Sequence, residues 1–411
     1  MNDQEKRFAA ISAHIDAQQS GNVELLKRWS AINSGTYHLA GLDRMLAALR
    51  EAFAALNATE ELIELPPAES VDFAGKIAHT KLGRAVRYIK RPDAAARVLL
   101  NIHYDTVYAA DHPFQAWRSV DADTLVGPGV CDAKGGIVVM LAALRAFENS
   151  DAASELGWEV YLNPDEEIGS PGSSKFLRET AERHSIGLIF EPALPDGSIV
   201  GARKGSGNFT AIVRGRAAHA GRDFQAGKSA TVALAELITR LDELNRSQGG
   251  DVTINCGRIE GGAALNVVPD LAIGRFNVRV SEVAQMQRVR SAMDSAAAEV
   301  ARRDGISVQF HGDFASPPKV IDPRSQRLID AVRQCAADVG LGDLAVRSSG
   351  GASDGNKLAG AGLAVIDTLG PVGGEIHSDR EFVKLSTIAQ RAKLTALLLA
   401  RLAQSHGLNP L

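Results

Sequence analysis

His103 and Asp105 stand two residues apart at the end of the apolar run VLLNIHYD. In extended backbone, residues two apart face the same side, which would suit a metal site or a paired acid and base. Taken alone, the pair also reads as a solvated strand end whose aspartate caps a turn. Asp132 lies in GPGVCDAKGG, where glycines permit close backbone approach and a following helix would turn its positive end towards an anion. A helix N-cap is the ordinary alternative. The pattern GxxxxGK[ST] is absent, which removes a phosphate loop. Glu166 and Glu167 follow the apolar run WEVYLN, and two adjacent carboxylates at a strand end repel unless a cation or proton offsets them. Glu191 ends IGLIF and precedes Pro192, which keeps its backbone extended. His377 sits far downstream in GEIHSDREF. Any one of these is commonplace; together His103, Asp132, Glu167, Glu191 and His377 are five ligands of the kind zinc accepts.

These residues need strand ends to hold them. Arg97–His103, Glu159–Asn163, Ile186–Phe190 and Gly362–Thr368 read as buried strands, and Lys134–Phe147, Ser173–Arg183, Asp322–Val339 and Thr387–Leu402 as helices. The alternation predicts an α/β fold, a mainly parallel mixed sheet with helices on both faces. Ahead of it, helices are expected over Asn2–Gln18, Val23–Trp29 and Leu42–Leu56, the first pair broken at Gly21-Asn22 and the first helix frayed. Short strands follow at Glu61–Leu65, Lys76–Lys81 and Ala85–Lys90, and Asp111–Asp123 is loop-like. After Gly201 the order becomes strand, helix, strand, strand, helix, strand, that of a ferredoxin-like α+β unit. The expected division is a catalytic domain of residues 1–206 and 317–411 with an inserted domain of residues 207–316.

The 411 residues, 45% hydrophobic and 23% charged with a net charge of −4, fit a soluble globular protein of two domains. That balance offers no basic surface for nucleic acid. The N-terminus lacks a signal-peptide pattern and no segment is apolar for the length of a membrane span, so no membrane association and a cytoplasmic location are expected. Three scattered cysteines, Cys131, Cys256 and Cys335, make neither a disulfide framework nor a cysteine zinc cluster.

NIHYDTVY, GPGVCDAKGG, PDEEIGSPGS, FEP, AAHAG, NVVP, FNVR, GGASDGN and EIHSD occur in that order. In motifs and spacing the chain resembles the aminoacylase and carboxypeptidase-G family of dinuclear zinc exopeptidases, nearest to its glutamate carboxypeptidase-like members. The resemblance runs from about Val23 to Leu402. It implies a catalytic zinc-exopeptidase domain with an inserted lid that also forms a homodimer contact. It implies two Zn2+ ions, or Co2+ or Mn2+ in their place, one held by His103 and Glu191, the other by Glu167 and His377, with Asp132 bridging. Asp105 would orient His103 and Glu166 would be the general base. From the lid, His219 would stabilise the oxyanion, reaching across a dimer, while Asn266 and Arg279 would hold the substrate carboxylate. Gly351, Ser353 and Asp354 would line the same pocket.

Two departures bear on this. Ala133 follows Asp132 where family members often carry a larger or acidic residue. Glutamate-releasing relatives use basic side chains after the Glu-Pro strand and after the lid, where Ser198, Ile199, His311 and Asp313 stand here, which puts a preference for C-terminal glutamate in question. The resemblance thus implies hydrolysis of an amide next to a free α-carboxylate, with a small peptide or N-acyl amino acid as substrate. The alternative is an inactive relative that binds small peptides or acyl amino acids.

Overall fold

The computed structural model describes residues 3–247 and 250–405. Its main sheet has six strands, in spatial order Thr59–Glu64, Arg84–Lys90, Leu156–Asn163, Ala96–His103, Ile186–Ile189 and Ala364–Ile366. The last four run parallel and the first two pair antiparallel at one edge. Every residue of Leu156–Asn163 is buried, as a strand covered on both faces requires. Along Ala96–His103, Val98, Leu100 and Ile102 join the larger core with helices Asp3–Ser30, Lys134–Glu148, Pro323–Asp338 and Ser386–Gln404. Leu99 faces a second core with helices Ser174–Ala181 and Asp354–Gly360. The period of two therefore builds a three-layer sandwich.

The expected break at Gly21-Asn22 is absent: one helix spans Asp3–Ser30. A mid-helix glycine costs about 1 kcal/mol against alanine. Burial of Ile11, Ile15, Leu25, Leu26 and Trp29 on either side offsets it. The strand expected at Lys76–Lys81 is Ile77–Thr80, and it does not join the main sheet. It forms a hairpin with Ala68–Val71, a strand not anticipated.

A second sheet is antiparallel, ordered Val252–Gly261, Leu271–Val280, Gly205–Arg214 and Ser307–Ser316, and helices Ala230–Ser247 and Val283–Val300 pack on it around a core of their own. This is the ferredoxin-like order. The two crossings between the sheets pair with each other: Arg203 N–H donates to the Lys319 carbonyl at 2.9 Å and Lys319 N–H to the Arg203 carbonyl at 3.0 Å. The hairpin adds another connection. Val71 is buried with Ile212 and Ile273 of the second sheet, Arg275 Nη2 donates to the Val71 carbonyl at 2.8 Å, and Arg214 Nη2 donates to the Gly75 carbonyl at 2.9 Å.

Candidate metal centre

His103 is the last residue of its strand, and Asp105 follows it on the same side of the chain. The His103 ring Nδ1 donates to the Asp105 carboxylate at 3.2 Å and to its backbone carbonyl at 3.1 Å. With Nδ1 engaged by Asp105, Nε2 faces Asp132 Oδ1 at 3.1 Å and Glu191 Oε1 at 3.9 Å. Asp132 Oδ2 lies 3.3 Å from His377 Nε2, which is 3.2 Å from Glu167 Oε2. One aspartate therefore faces an imidazole with each oxygen, and each imidazole has a second carboxylate beside it. Within each of the groups His103–Asp132–Glu191 and Asp132–Glu167–His377, the ligand atoms lie within 4.8 Å of one another. Imidazole nitrogens and carboxylate oxygens so gathered fit a pair of divalent cations, and they are donors that zinc takes.

Local structure explains how five distant residues meet. Glu166–Ile168 is a 3₁₀ turn, pinned because Asp105 accepts the backbone N–H groups of Glu166 at 3.2 Å and Glu167 at 3.3 Å. Asp105 also accepts the Thr36 hydroxyl at 2.7 Å, so one buried carboxylate orients a histidine and the turn beside it. Asp132 does not cap the helix that follows, whose N-cap is Ala133. The bond between Asp132 and Ala133 is cis, and the Asp132 carboxylate still faces both histidines. Around Glu191 the chains are pressed together. A Cβ on Gly136 would lie 2.0 Å from the Phe190 carbonyl oxygen, and one on Gly370 would lie 2.6 Å from that of Glu191. Only glycine fits either place.

His377 arrives on the loop between strands Gly373–Gly374 and Phe382–Lys384, which belong to a small sheet with Thr124–Val126 and Arg118–Ser119, the latter inside the stretch expected as loop. It has a φ of 62°, uncommon for a residue with a side chain and a strain of about 1–3 kcal/mol that marks functional sites. The same loop ends in Glu381, fully buried, which accepts the backbone N–H groups of Gly129, Cys131 and Asp132 at 2.9, 2.8 and 2.9 Å and the Tyr108 hydroxyl at 2.9 Å. Glu381 thus ties the His377 loop to the Asp132 loop. Reading by ligand type passed over it, although a carboxylate four residues after His377 was the available signal.

The electrostatics follow from crowding. Burial, then the neighbouring Glu191, pushes the Glu166 carboxyl well above the usual carboxylate range. Burial raises Glu191 to about 8 and Glu167 to about 7, with Asp132 adding repulsion to both. Asp132 itself is held well below the ordinary range, because hydrogen bonds to His103 and His377 outweigh the effect of its burial. His377 is raised to about 10 by its hydrogen bonds to Asp132 and Glu167. Too much negative charge collects here for the available protons, the condition a metal pair relieves.

Other residues named from the sequence fall elsewhere. Ser353 and Asp354 are buried and turned inward: Ser353 Oγ donates to Asp367 at 2.9 Å, and Asp354 accepts from Asn163 at 2.7 Å and Lys357 at 3.0 Å. They brace the helix Asp354–Gly360 and the strand end at Asn163, which corrects the expectation that their side chains line the pocket. Gly351 is exposed, and its carbonyl accepts from Arg203 Nη1 at 3.1 Å. Arg203, also not foreseen, forms a two-bond ion pair with buried Asp367, at 2.6 and 3.0 Å. On the lid, Arg279 Nη1 reaches the Gly350 carbonyl at 3.4 Å, and Asn266 is exposed. His219 is exposed and its hydrogen bonds are within its own turn, where Nδ1 accepts from the N–H groups of Gly221 and Arg222. Within one chain none of these hydrogen bonds brings His219 to the metal-binding residues.

Two imidazoles and two glutamates around a central aspartate, with a further glutamate beside them, fit a two-metal hydrolase site. The chain belongs to the peptidase family M20/M25/M40, whose family model matches residues 99–401, and it is a metallopeptidase-type hydrolase. It is 26% identical over 396 residues to carboxypeptidase G2 of Pseudomonas sp. (strain RS-16), covering 90% of this chain and 95% of that protein. Among solved structures, the dipeptidase Dug1p from Saccharomyces cerevisiae shares the fold at a TM-score of 0.74 and 14% identity, over 97% of this chain and 99% of the other. An M20 family metallo-carboxypeptidase from Sulfolobus solfataricus does so at 0.73 and 16%, over 92% and 98%.

Proposed function

We propose that the protein is a zinc-dependent hydrolase of an amide bond adjacent to a free α-carboxylate, acting as a carboxypeptidase, dipeptidase or N-acyl amino acid deacylase. Co2+ or Mn2+ can replace zinc in the same donor set. The observation that carries the reading is Asp132, whose two oxygens stand 3.1 and 3.3 Å from two histidines that each have a second carboxylate alongside. When bound there, the metals would lower the pKa of a water towards ~7 and polarise the scissile carbonyl.

The chain's own groups do the rest. Glu166 sits on the pinned turn beside the ligands, where burial and the neighbouring Glu191 raise its carboxyl above the usual carboxylate range and so favour its keeping a proton once it has taken one. It takes that proton from the attacking water and returns it to the leaving amine. Arg279 and Asn266 bind the substrate carboxylate, a role a planar guanidinium performs with two parallel bonds. In neutral His219 the accepting Nδ1 leaves the hydrogen on Nε2, a donor for the oxyanion, delivered to the partner subunit of a homodimer. A cytoplasmic location completes the reading.

The test compares metal-loaded wild type with Glu166→Ala on a panel of dipeptides and N-acyl amino acids. The expected outcome is turnover by wild type and at least roughly a hundredfold loss in the variant with two metals still bound. A variant that keeps full activity overturns the assignment of the base.

A further inference from the structure

We propose that the cavity on the Glu167 side of the centre receives the acyl half of the substrate and selects apolar acyl groups over acidic ones. The inference rests on the hydrolase reading and adds a substrate class to it.

The cavity measures about 390 Å³, and Glu167 and Ile168 form one of its walls. It is therefore continuous with the metal-binding residues. The Gly35–His38 turn and the Thr106–Ala110 segment close its other sides, held together by a backbone bridge between Gly35 and Thr106. Two large side chains there stand bare: Tyr37 is 60% exposed and Val107 is 42% exposed. Exposed hydrocarbon around a concavity beside reactive groups is the usual form of a ligand pocket.

Two polar groups of this wall are already engaged. The Thr36 hydroxyl is donated to Asp105, and the His38 Nδ1 contacts the Asn33 side chain at 2.9 Å. No lysine or arginine lines the cavity, and its one carboxylate is Glu167. Among the lining residues an acidic acyl group would find no lysine or arginine to pair with.

Across the centre the charge is opposite. Arg203 acts electrostatically on Glu191, and Arg203 and Arg279 bond to the adjacent carbonyls of Gly351 and Gly350. A substrate with a carboxylate at one end would find its cationic partner, Arg279, on that side, Arg203 being committed to Asp367. The group on the other side of the scissile bond then points past Glu167 into the cavity.

The experiment uses full-length, metal-loaded Glu166→Ala protein, whose slowed turnover leaves time to measure binding, and titrates it with N-acetyl, N-octanoyl and N-succinyl derivatives of alanine, methionine and glutamate. The octanoyl compounds are expected to bind at least roughly tenfold more tightly than the acetyl ones, since a single methylene in an apolar pocket already gives about tenfold discrimination or more. The succinyl compounds should bind more weakly than both. Adding Val107→Asp should reduce the octanoyl preference to below about threefold while acetyl binding stays unchanged, and Tyr37→Ala should reduce it in part. Both positions are exposed, so an unchanged melting temperature shows that the fold is retained. Equal affinity for octanoyl and acetyl compounds, equal weakening of both by Val107→Asp, or no binding of any compound overturns the proposal. Failure of the hydrolase reading looks different: metal-loaded wild type would turn over none of the compounds while the octanoyl preference persisted.

Discussion

Replacing Asp105 by asparagine changes one atom and forces a choice between two ligands. The carboxylate accepts four hydrogens: from the His103 ring and the Glu166 N–H on one oxygen, and from the Thr36 hydroxyl and the Glu167 N–H on the other. If the new amide nitrogen takes the second position, Thr36 can reverse its hydroxyl, but the Glu167 N–H is left facing a donor. If it takes the first, the imidazole must move its hydrogen to Nε2 and lose the lone pair that faces Asp132. Either way one buried donor loses its partner, at about 1–3 kcal/mol, and the surviving bonds fall from charge-assisted to neutral strength, about 1 kcal/mol each. The total is on the order of 3 kcal/mol, and partial relaxation brings the expected loss to the 10- to 100-fold found for partners of metal ligands. Two assays read it: zinc affinity against a chromophoric chelator, and kcat/KM on the best substrate of the panel. Thr36→Val removes a single hydroxyl and should cost less than about fivefold, because one hydrogen bond contributes about 1 kcal/mol. If Asp105→Asn stays within threefold of wild type in both assays, Asp105 is not what orients His103 and the Glu166–Ile168 turn.

Three further outcomes follow from the same geometry. Glu381→Leu leaves the N–H groups of Gly129, Cys131 and Asp132 without their acceptor, so stability should fall by about 3 kcal/mol or more, read by chemical unfolding of the metal-free protein. His184 is held down to about 4, chiefly by burial, so below its ordinary value of 6.5 the unfolded chain takes up a proton that the folded chain refuses. Its contribution is intact above pH 6.5 and is lost as pH falls towards 4, by up to ~3 kcal/mol, and His184→Gln should flatten that part of the stability profile. Mixing His219→Ala with Glu166→Ala subunits should restore measurable turnover if the histidine serves the partner's site, whereas subunit exchange without recovery removes that role.

The parts of the fold that repeat were legible in the amino-acid order. Buried strands such as Ala96–His103 and the helix Lys134–Glu148 carry their pattern on every turn or every second residue. Each of the five residues that converge at the candidate centre could be named because an imidazole or carboxylate placed among apolar neighbours is conspicuous. Groups without periodicity were not legible. Glu381 and Arg203 act through loops and long-range pairing, and Asp354 points inward because its helix starts there, a direction that composition does not encode. The break expected at Gly21 failed for a related reason, since local propensity of about 1 kcal/mol is small beside the burial of a long helix face.

The hairpin Ala68–Val71 and Ile77–Thr80 changes how the inserted domain can move. A body joined to another at one place can tilt in several directions. This one is held at several: where Arg203 pairs with Lys319, where the backbone carbonyls of Val71 and Gly75 are held by Arg275 and Arg214, and where Arg279 reaches Gly350 and Lys357 reaches Ser316. With these attachments kept, its tilt is restrained in more than one direction. Loosening the hairpin grip, by removing Arg275 or Arg214, would therefore free one side of the second sheet without altering any group proposed to touch substrate.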